Sequence, residues 1–410
     1  MRALSADLSR RVFLKGAGLA AVGVGFHPSS LLVRAAQAAE AGAQVLVQVF
    51  LRGGADGLNQ LVPHGDPAYY DLRREIALAR PGQAGGVVDL DGYFGLHPEL
   101  GPLLPLWRDG RLAFLPAVGN YGLTRSHFDA QDFMETGTPG VKGTTTGWLD
   151  RSVARIPGSE VMQAVAFASV LPRSFLGGEP VLVAQNLSAF DLRARSWRAE
   201  ADTLLRAMYE PRSDAYGQVG RETFSAIQTL ARNPGLSAPP ANGAAYPNAS
   251  VGSGLRQAAA VIKAGLGTRC IFVNVTGGFD THANQLAANT NDYRSLGAAL
   301  FAFATDLGRQ LDDVVVMVDT EFGRTSAVNG SAGTDHGSAH CMMAFGGRVR
   351  GGRIVGGWPG ISRADLHEGR DLAATVDYRD AFQEIARAQL GISESLFPGY
   401  TPGPGPGIVA

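Results

Sequence analysis

Four apolar runs, each strand-length and each leading straight into polar, glycine-bearing residues, constrain this chain more than any other feature. They are Val45–Phe50, Leu112–Val118, Cys270–Val275 and Val314–Val318. Continuous rather than alternating apolar runs are the pattern of strands buried on both faces. Between the last two runs Leu296, Leu300, Phe303, Leu307 and Leu311 repeat at helical spacing along one stripe. A second helix is predicted over Asp377–Leu390, stopped by Gly391. Strands alternating with helices predict an α/β fold, with a mainly parallel sheet covered by helices on both faces.

The flanks of this pattern set the expected boundaries. Residues 39–400 are read as one α/β domain. Within it, residues 151–250 are less regular and are expected to form an insertion or cap, with a Gly/Pro/Ala/Asn-rich loop over 233–250. Residues 401–410, opening on Pro402–Gly407, read as a Pro/Gly-rich tail. At the other end, Arg10 and Arg11 precede the short apolar run Gly16–Phe26, and Ala36-Gln37-Ala38 offers a small-residue cleavage site. That order predicts a twin-arginine signal over residues 1–38, export of the folded chain and a periplasmic or secreted location.

Without residues 1–38 the chain holds 31 basic and 36 acidic residues, a net charge near −5. No basic stripe remains to suggest nucleic acid as a partner, and no apolar run is long enough to span a bilayer. Cys270 and Cys341 are the only cysteines. An exported chain could pair them, and two buried thiols fit equally well.

Polar residues with chemical potential sit just beyond the strand ends, where open α/β sheets bind ligands. Asp56 follows the first run. Arg125, Ser126 and His127 follow the second, Asp280 and His282 the third, and Glu321 the fourth. A glycine-rich loop then presents Asp335, His336 and His340. Carboxylates and imidazoles are the usual ligands of Zn²⁺ or Mn²⁺, and carboxylates facing one crevice need a cation among them. Asp56, Asp280, His282, Glu321, Asp335, His336 and His340 are therefore the expected ligands of one or two divalent ions. Ser126, between Arg125 and His127, is the candidate nucleophile. The bland alternatives are that Asp280 or Ser126 caps a helix and that Glu321 pairs with Arg324. His64, His97 and His367 are read as structural or solvated.

Phe50–Asn59, Arg125–Asp132, Gly278–His282 and Thr320–Thr325, with Asp335-His336-Gly337 and Asp377–Asp380, together resemble the DUF1501 family over nearly the whole chain after the signal. That family is placed with the alkaline phosphatase and sulfatase superfamily. The resemblance implies a three-layer α/β/α fold and a metal-dependent hydrolase of phosphate or related esters acting on a small anionic ester. Glu321-Phe322 stands where many relatives carry an Asp-His pair. Neither cysteine has the sequence context needed for a sulfatase formylglycine. A non-catalytic relative that binds an extracellular polymer or a protein partner is the second expectation.

Overall fold

The computed structural model describes residues 44–119, 122, 124–158, 162–187, 190–192 and 197–410, so the twin-arginine segment lies outside the described residues. Among the described residues twelve strands occur in chain order: β1 (Val45–Arg52), β2 (Leu61–Val62), β3 (Val88–Asp89), β4 (Gly95–Leu96), β5 (Leu112–Gly119), β6 (Ala164–Phe167), β7 (Leu182–Val183), β8 (Cys270–Thr276), β9 (Val314–Thr320), β10 (His340–Gly346), β11 (Arg353–Ile354) and β12 (Val376–Asp377). Nine of them form the central sheet, in the order β11-β5-β10-β9-β1-β8-β6-β7 with β12 beside β5. Every pairing is parallel except those of β10, which runs against both β5 and β9. The mainly parallel sheet expected from the apolar runs is present, and each of the four predicted strands extends one or two residues further.

Strand β1 lies at the centre and is buried on both faces, its one polar side chain in Val45–Phe50, Gln48, donating to Asp319 Oδ2 at 2.9 Å. Val45, Val47, Val49 and Leu51 enter one core layer while Leu46 and Phe50 enter the other. A side chain of that kind, fully buried, stabilises the fold by roughly 1.5–3 kcal/mol. Helices α4 (Ser250–Lys263) and α5 (Gln285–Leu307) supply the first layer. The stripe Leu296, Leu300, Phe303, Leu307 and Leu311 is buried there throughout. Helix α6 (Tyr378–Leu390) supplies the opposite layer, capped by the Asp377 side chain and ended by Gly391 at φ 74°. The helix expected over Asp377–Leu390 is thus present, with Asp377 as its cap.

The segment 151–250 departs from the expected insertion or cap. Its first half contributes β6 and β7, which extend the sheet beyond β8. Strands of four and two residues are too short to show a pattern in sequence. The second half holds helices α2 (Arg198–Tyr209) and α3 (Ala215–Arg232), near the stretches read as helical. The remaining helix of functional interest is α1 (His127–Thr136). The Pro/Gly-rich end is docked rather than free. Glu384 accepts the amides of Gly407 (2.8 Å) and Val409 (3.1 Å), and Ile408 and Val409 are buried.

Cys270 and Cys341 are free and buried in opposite core layers, so the sheet itself separates them. No helix among the described residues is long and apolar enough to cross a membrane.

Two buried histidines give the fold a pH dependence. His97 Nδ1 accepts the Glu99 amide at 3.1 Å, and its ring lies 4.7 Å from that of Tyr293. Burial holds His97 down at about 4, against the opposing charge of Glu99. Burial likewise holds His340 at about 4, against Glu321. Unfolded, both titrate near about 6.5, so between those values the unfolded chain binds more protons. Their contribution is complete above about pH 6.5 and is lost as pH falls toward about 4. Urea midpoints are expected to fall from pH 7 to pH 5. His97→Asn, which keeps an acceptor for the Glu99 amide, should show a shallower fall.

Candidate metal centre

Because β10 is antiparallel, its first residue lies at the same sheet edge as the last residues of β1, β5, β8, β9 and β12. The loops after β5, β8 and β9 and the loop before β10 therefore meet there. At the meeting point stands Asp280. Its Oδ1 is 3.0 Å from His336 Nε2 and 3.0 Å from His282 Nε2, and its Oδ2 is 3.4 Å from His127 Nε2. His127, Asp280 and His336 each place one donor atom within 4.8 Å of the others.

The far nitrogen of each ring is occupied. His127 Nδ1 is 2.8 Å from Glu321 Oε1, His282 Nδ1 is 3.2 Å from Asp335 Oδ1, and His336 Nδ1 is 2.7 Å from the Arg125 carbonyl oxygen. An oxygen that can only accept requires N–H on each Nδ1. Each ring thus turns its Nε2 toward Asp280, the Nε2 atoms of His282 and His336 lie 3.0 Å apart, and the hydrogen bond to Glu321 raises the pKa of His127. A divalent ion among them would take the place of the protons that otherwise bridge these groups. His127 Nε2 is in addition buried without a hydrogen-bond partner. The 3.0 Å separations of His282 and His336 Nε2 from Asp280 Oδ1 and from each other are close to the edge of about 3.3 Å that tetrahedral Zn²⁺–N bonds of about 2.0–2.1 Å imply, and His127 lies within the 4.8 Å that groups it with Asp280 and His336. The residues present fit a single divalent ion.

Arg324 steadies this arrangement. Its side chain is fully buried, and Nη1 donates to Asp280 Oδ1 at 2.6 Å. Burial pushes the Asp280 carboxyl up, but the Arg324 and His336 bonds outweigh it and leave the group at about 2. Glu321 behaves alike. Its burial is offset by His127 and Gln131, and it also rests at about 2. Its Oε1 accepts the Gly53 amide at 2.9 Å and Gln131 Nε2 at 2.8 Å besides facing His127. Glycine at 53 is required for that reach, because its φ is +118° and an added Cβ would lie 3.0 Å from the Asp280 amide.

Several expected ligands and catalytic groups sit elsewhere. Asp56 is buried, and its carboxylate is taken by Arg73, by Gln285 at 2.5 Å and by the Leu58 amide at 3.1 Å. It caps a short helix (Gly57–Gln60) and is no open ligand. Glu321 and Asp335 face the cluster through His127 and His282, the position of groups that would orient ligands rather than hold an ion themselves. His340 is buried at the start of β10, outside the cluster. Both its ring nitrogens lack partners among the described residues. Ser126 caps α1, its Oγ accepting the Asp129 amide at 3.4 Å. Arg125 is paired with Asp371 (2.9 Å) and Glu368 (3.3 Å). His127, expected beside a nucleophile, instead offers a donor to the cluster. Arg324 and Gln131 were missed as site residues. Arg324 follows a strand end as the others do, but its partner is Asp280, not Glu321.

Residues 43–395 match the family described as "Protein of unknown function (DUF1501)". The chain belongs to the DUF1501 family. The match spans the whole central sheet and all the residues of the cluster. No curated protein matches the chain.

Within this DUF1501 chain the support of His127 gives a separable prediction. Glu321→Gln keeps the shape but supplies a weaker acceptor for His127 Nδ1. Metal affinity is expected to fall about 10–100-fold, the usual cost of losing an outer partner. Competition titration against a chelating dye measures it, and an unchanged affinity contradicts the role.

Proposed function

We propose that this chain is an exported, metal-dependent hydrolase of phosphate or related esters, built on an alkaline phosphatase-like α/β/α scaffold. The observation that carries the proposal is the convergence of three Nδ1-anchored histidines on Asp280. His127, His282, His336 and Asp280 would hold the ion, with Zn²⁺ or Mn²⁺ best suited to that donor set. A bound divalent ion supplies charge stabilisation to an ester oxygen and lowers the pKa of a bound water. The side chains of Asp280 and His282 are nearly half exposed, so the centre is open to solvent as a catalytic site must be, unlike a closed structural one. Arg324 keeps Asp280 ionised and fixed in place, and Glu321 keeps His127 in the tautomer that offers Nε2.

The sequence order at the N-terminus supports twin-arginine export to a periplasmic or secreted location. Fractionation of cells carrying wild type and an Arg10→Lys/Arg11→Lys variant tests this, and cytoplasmic retention is expected only for the variant. The catalytic reading is tested by supplying Zn²⁺ or Mn²⁺ to the purified chain. Phosphomonoesters, phosphodiesters and sulfate esters are then assayed. Turnover that chelation abolishes is expected, whereas metal uptake without turnover of any of them overturns it.

One observation favours a second reading. Ser126 is occupied as a cap, and among the described residues no hydrogen bond brings its side chain to the cluster, which suits a non-catalytic relative that holds one ion and binds an extracellular polymer or protein partner. Metal uptake with no turnover is the result that reading expects.

A further inference from the structure

Two residues before Glu321, the central sheet buries a carboxyl that no cation meets. Asp319 on β9 is 0% exposed and Gln48 on β1 is 1% exposed. Their neighbours along the same strand faces, Leu46, Phe50, Val315 and Met317, belong to the core layer under α6. Phe50 lies opposite Asp319 in register, so Gln48 reaches Asp319 diagonally, and its Nε2 donates to Oδ2 at 2.9 Å. The other end of each group is unmet. Among the described residues neither Asp319 Oδ1 nor Gln48 Oε1 has a hydrogen-bond partner. Both atoms only accept while the carboxyl is ionised, so neither can serve the other.

The surrounding charges do not favour an ionised group. Arg52 is the cation that acts on Asp319, and its nitrogens are engaged elsewhere: Nε by Asn274 at 2.6 Å, Nη1 by Gln131 at 2.7 Å and Nη2 by Glu135 at 2.8 Å. Glu135 of α1 and Glu321 of β9 oppose a further negative charge. The other titratable groups around this layer add no cation. Tyr378 of α6 donates to the Phe133 carbonyl at 2.9 Å, burial pushes the Cys270 thiol of β8 up to about 12, and burial holds His340 of β10 at about 4. A buried carboxylate with one neutral donor and like charges nearby takes up a proton. Burial raises the Asp319 carboxyl well above its ordinary range against the Gln48 bond, and Glu135 and Glu321 raise it further against Arg52.

We infer that Asp319 is a protonated carboxylic acid in the folded chain at neutral pH, its proton directed from Oδ1 to Gln48 Oε1 in a reciprocal acid–amide pair. Unfolded, an aspartate ionises near about 3.9, so folding at neutral pH takes up one proton from solvent at this carboxyl. The contribution of Asp319 to stability is complete below about pH 3.9. It then falls by about 10-fold in the folding equilibrium per pH unit until the folded carboxyl itself ionises. The end of β9, which carries Glu321 to His127, is thereby sensitive to alkali. This holds whether or not the centre turns over an ester.

Urea unfolding of wild type and Asp319→Asn, neutral at every pH, is compared from about pH 5 to about pH 7. The opposite slopes from His97 and His340 are common to both chains and cancel in the ratio. The unfolding equilibrium constant of wild type is expected to rise about 100-fold relative to that of the variant, one proton over two pH units. A ratio that stays constant overturns the inference. Infrared spectra of wild type with isotope-labelled aspartate carboxyls decide the question even where Asp319→Asn does not fold. A protonated aspartate band at pH 7 that Gln48→Met shifts is the expected result. Carboxylate bands alone at pH 7 overturn the inference, since water or a cation then meets Oδ1.

Discussion

Arg73→Ala is expected to destabilise the fold by about 3–5 kcal/mol, the cost of leaving one member of a buried ion pair alone. Arg73 and Asp56 are each about 1% exposed. The guanidinium meets the carboxylate through both Nη atoms, and the remaining donors go to backbone. Nε donates to the Ser326 carbonyl at 2.8 Å, and Nη2 to that of Thr325 at 3.1 Å. One side chain thus joins the loop after β1 to the loop after β9. Removing it leaves Asp56 buried with only Gln285 and the Leu58 amide as partners, and two carbonyls unmet. Urea unfolding followed by tryptophan fluorescence measures the loss. Asp56→Asn combined with Arg73→Met should cost less than the sum of the two single changes, because each single change strands the other group. A loss below about 1 kcal/mol for Arg73→Ala would mean that water enters and solvates Asp56.

The second large effect concerns Asp280. Asp280→Asn keeps an oxygen for Arg324 but removes the charge toward which three Nε2 atoms point. Metal affinity is expected to fall by more than the about 10–100-fold that an outer partner such as Glu321 costs, with the fold retained. Asp280→Ala adds a structural penalty, since Arg324 Nη1 then has no acceptor in a fully buried position. The contrast between the two variants separates metal binding from folding. Equal metal affinity in wild type and Asp280→Asn contradicts the placement of Asp280 among the ligands.

Much of the scaffold was legible because both-faced burial leaves a nearly continuous apolar run, interrupted in Val45–Phe50 only by Gln48. Val45–Phe50 and Val314–Val318 could be little else, and the Leu296–Leu311 stripe marks a helix by spacing alone. Strands β6, β7, β11 and β12 were not legible, since two to four residues carry no period and are defined only by the neighbour they pair with. The location of the site could be read from polar residues after strand ends, and Asp280, His282 and His336 do meet there. Their individual roles could not be read. Asp56 and Asp280 occupy equivalent places after β1 and β8, yet Arg73, 17 residues beyond Asp56, neutralises the first. Arg324, also a strand-end residue, orders the second. His127 reads in sequence as the neighbour of a serine nucleophile. Only the tertiary contact with Glu321 shows that its Nδ1 is anchored and its Nε2 turned toward Asp280.

The measurement that tests the metal centre most directly is elemental analysis of the purified chain after incubation with Zn²⁺ or Mn²⁺ and removal of the excess. Wild type is compared with a His127→Ala/His336→Ala double variant whose fold is checked by circular dichroism. One ion per wild-type chain and essentially none in the folded variant is the expected result. No stoichiometric ion in wild type, or the same ion content in both, would contradict a metal centre at these residues.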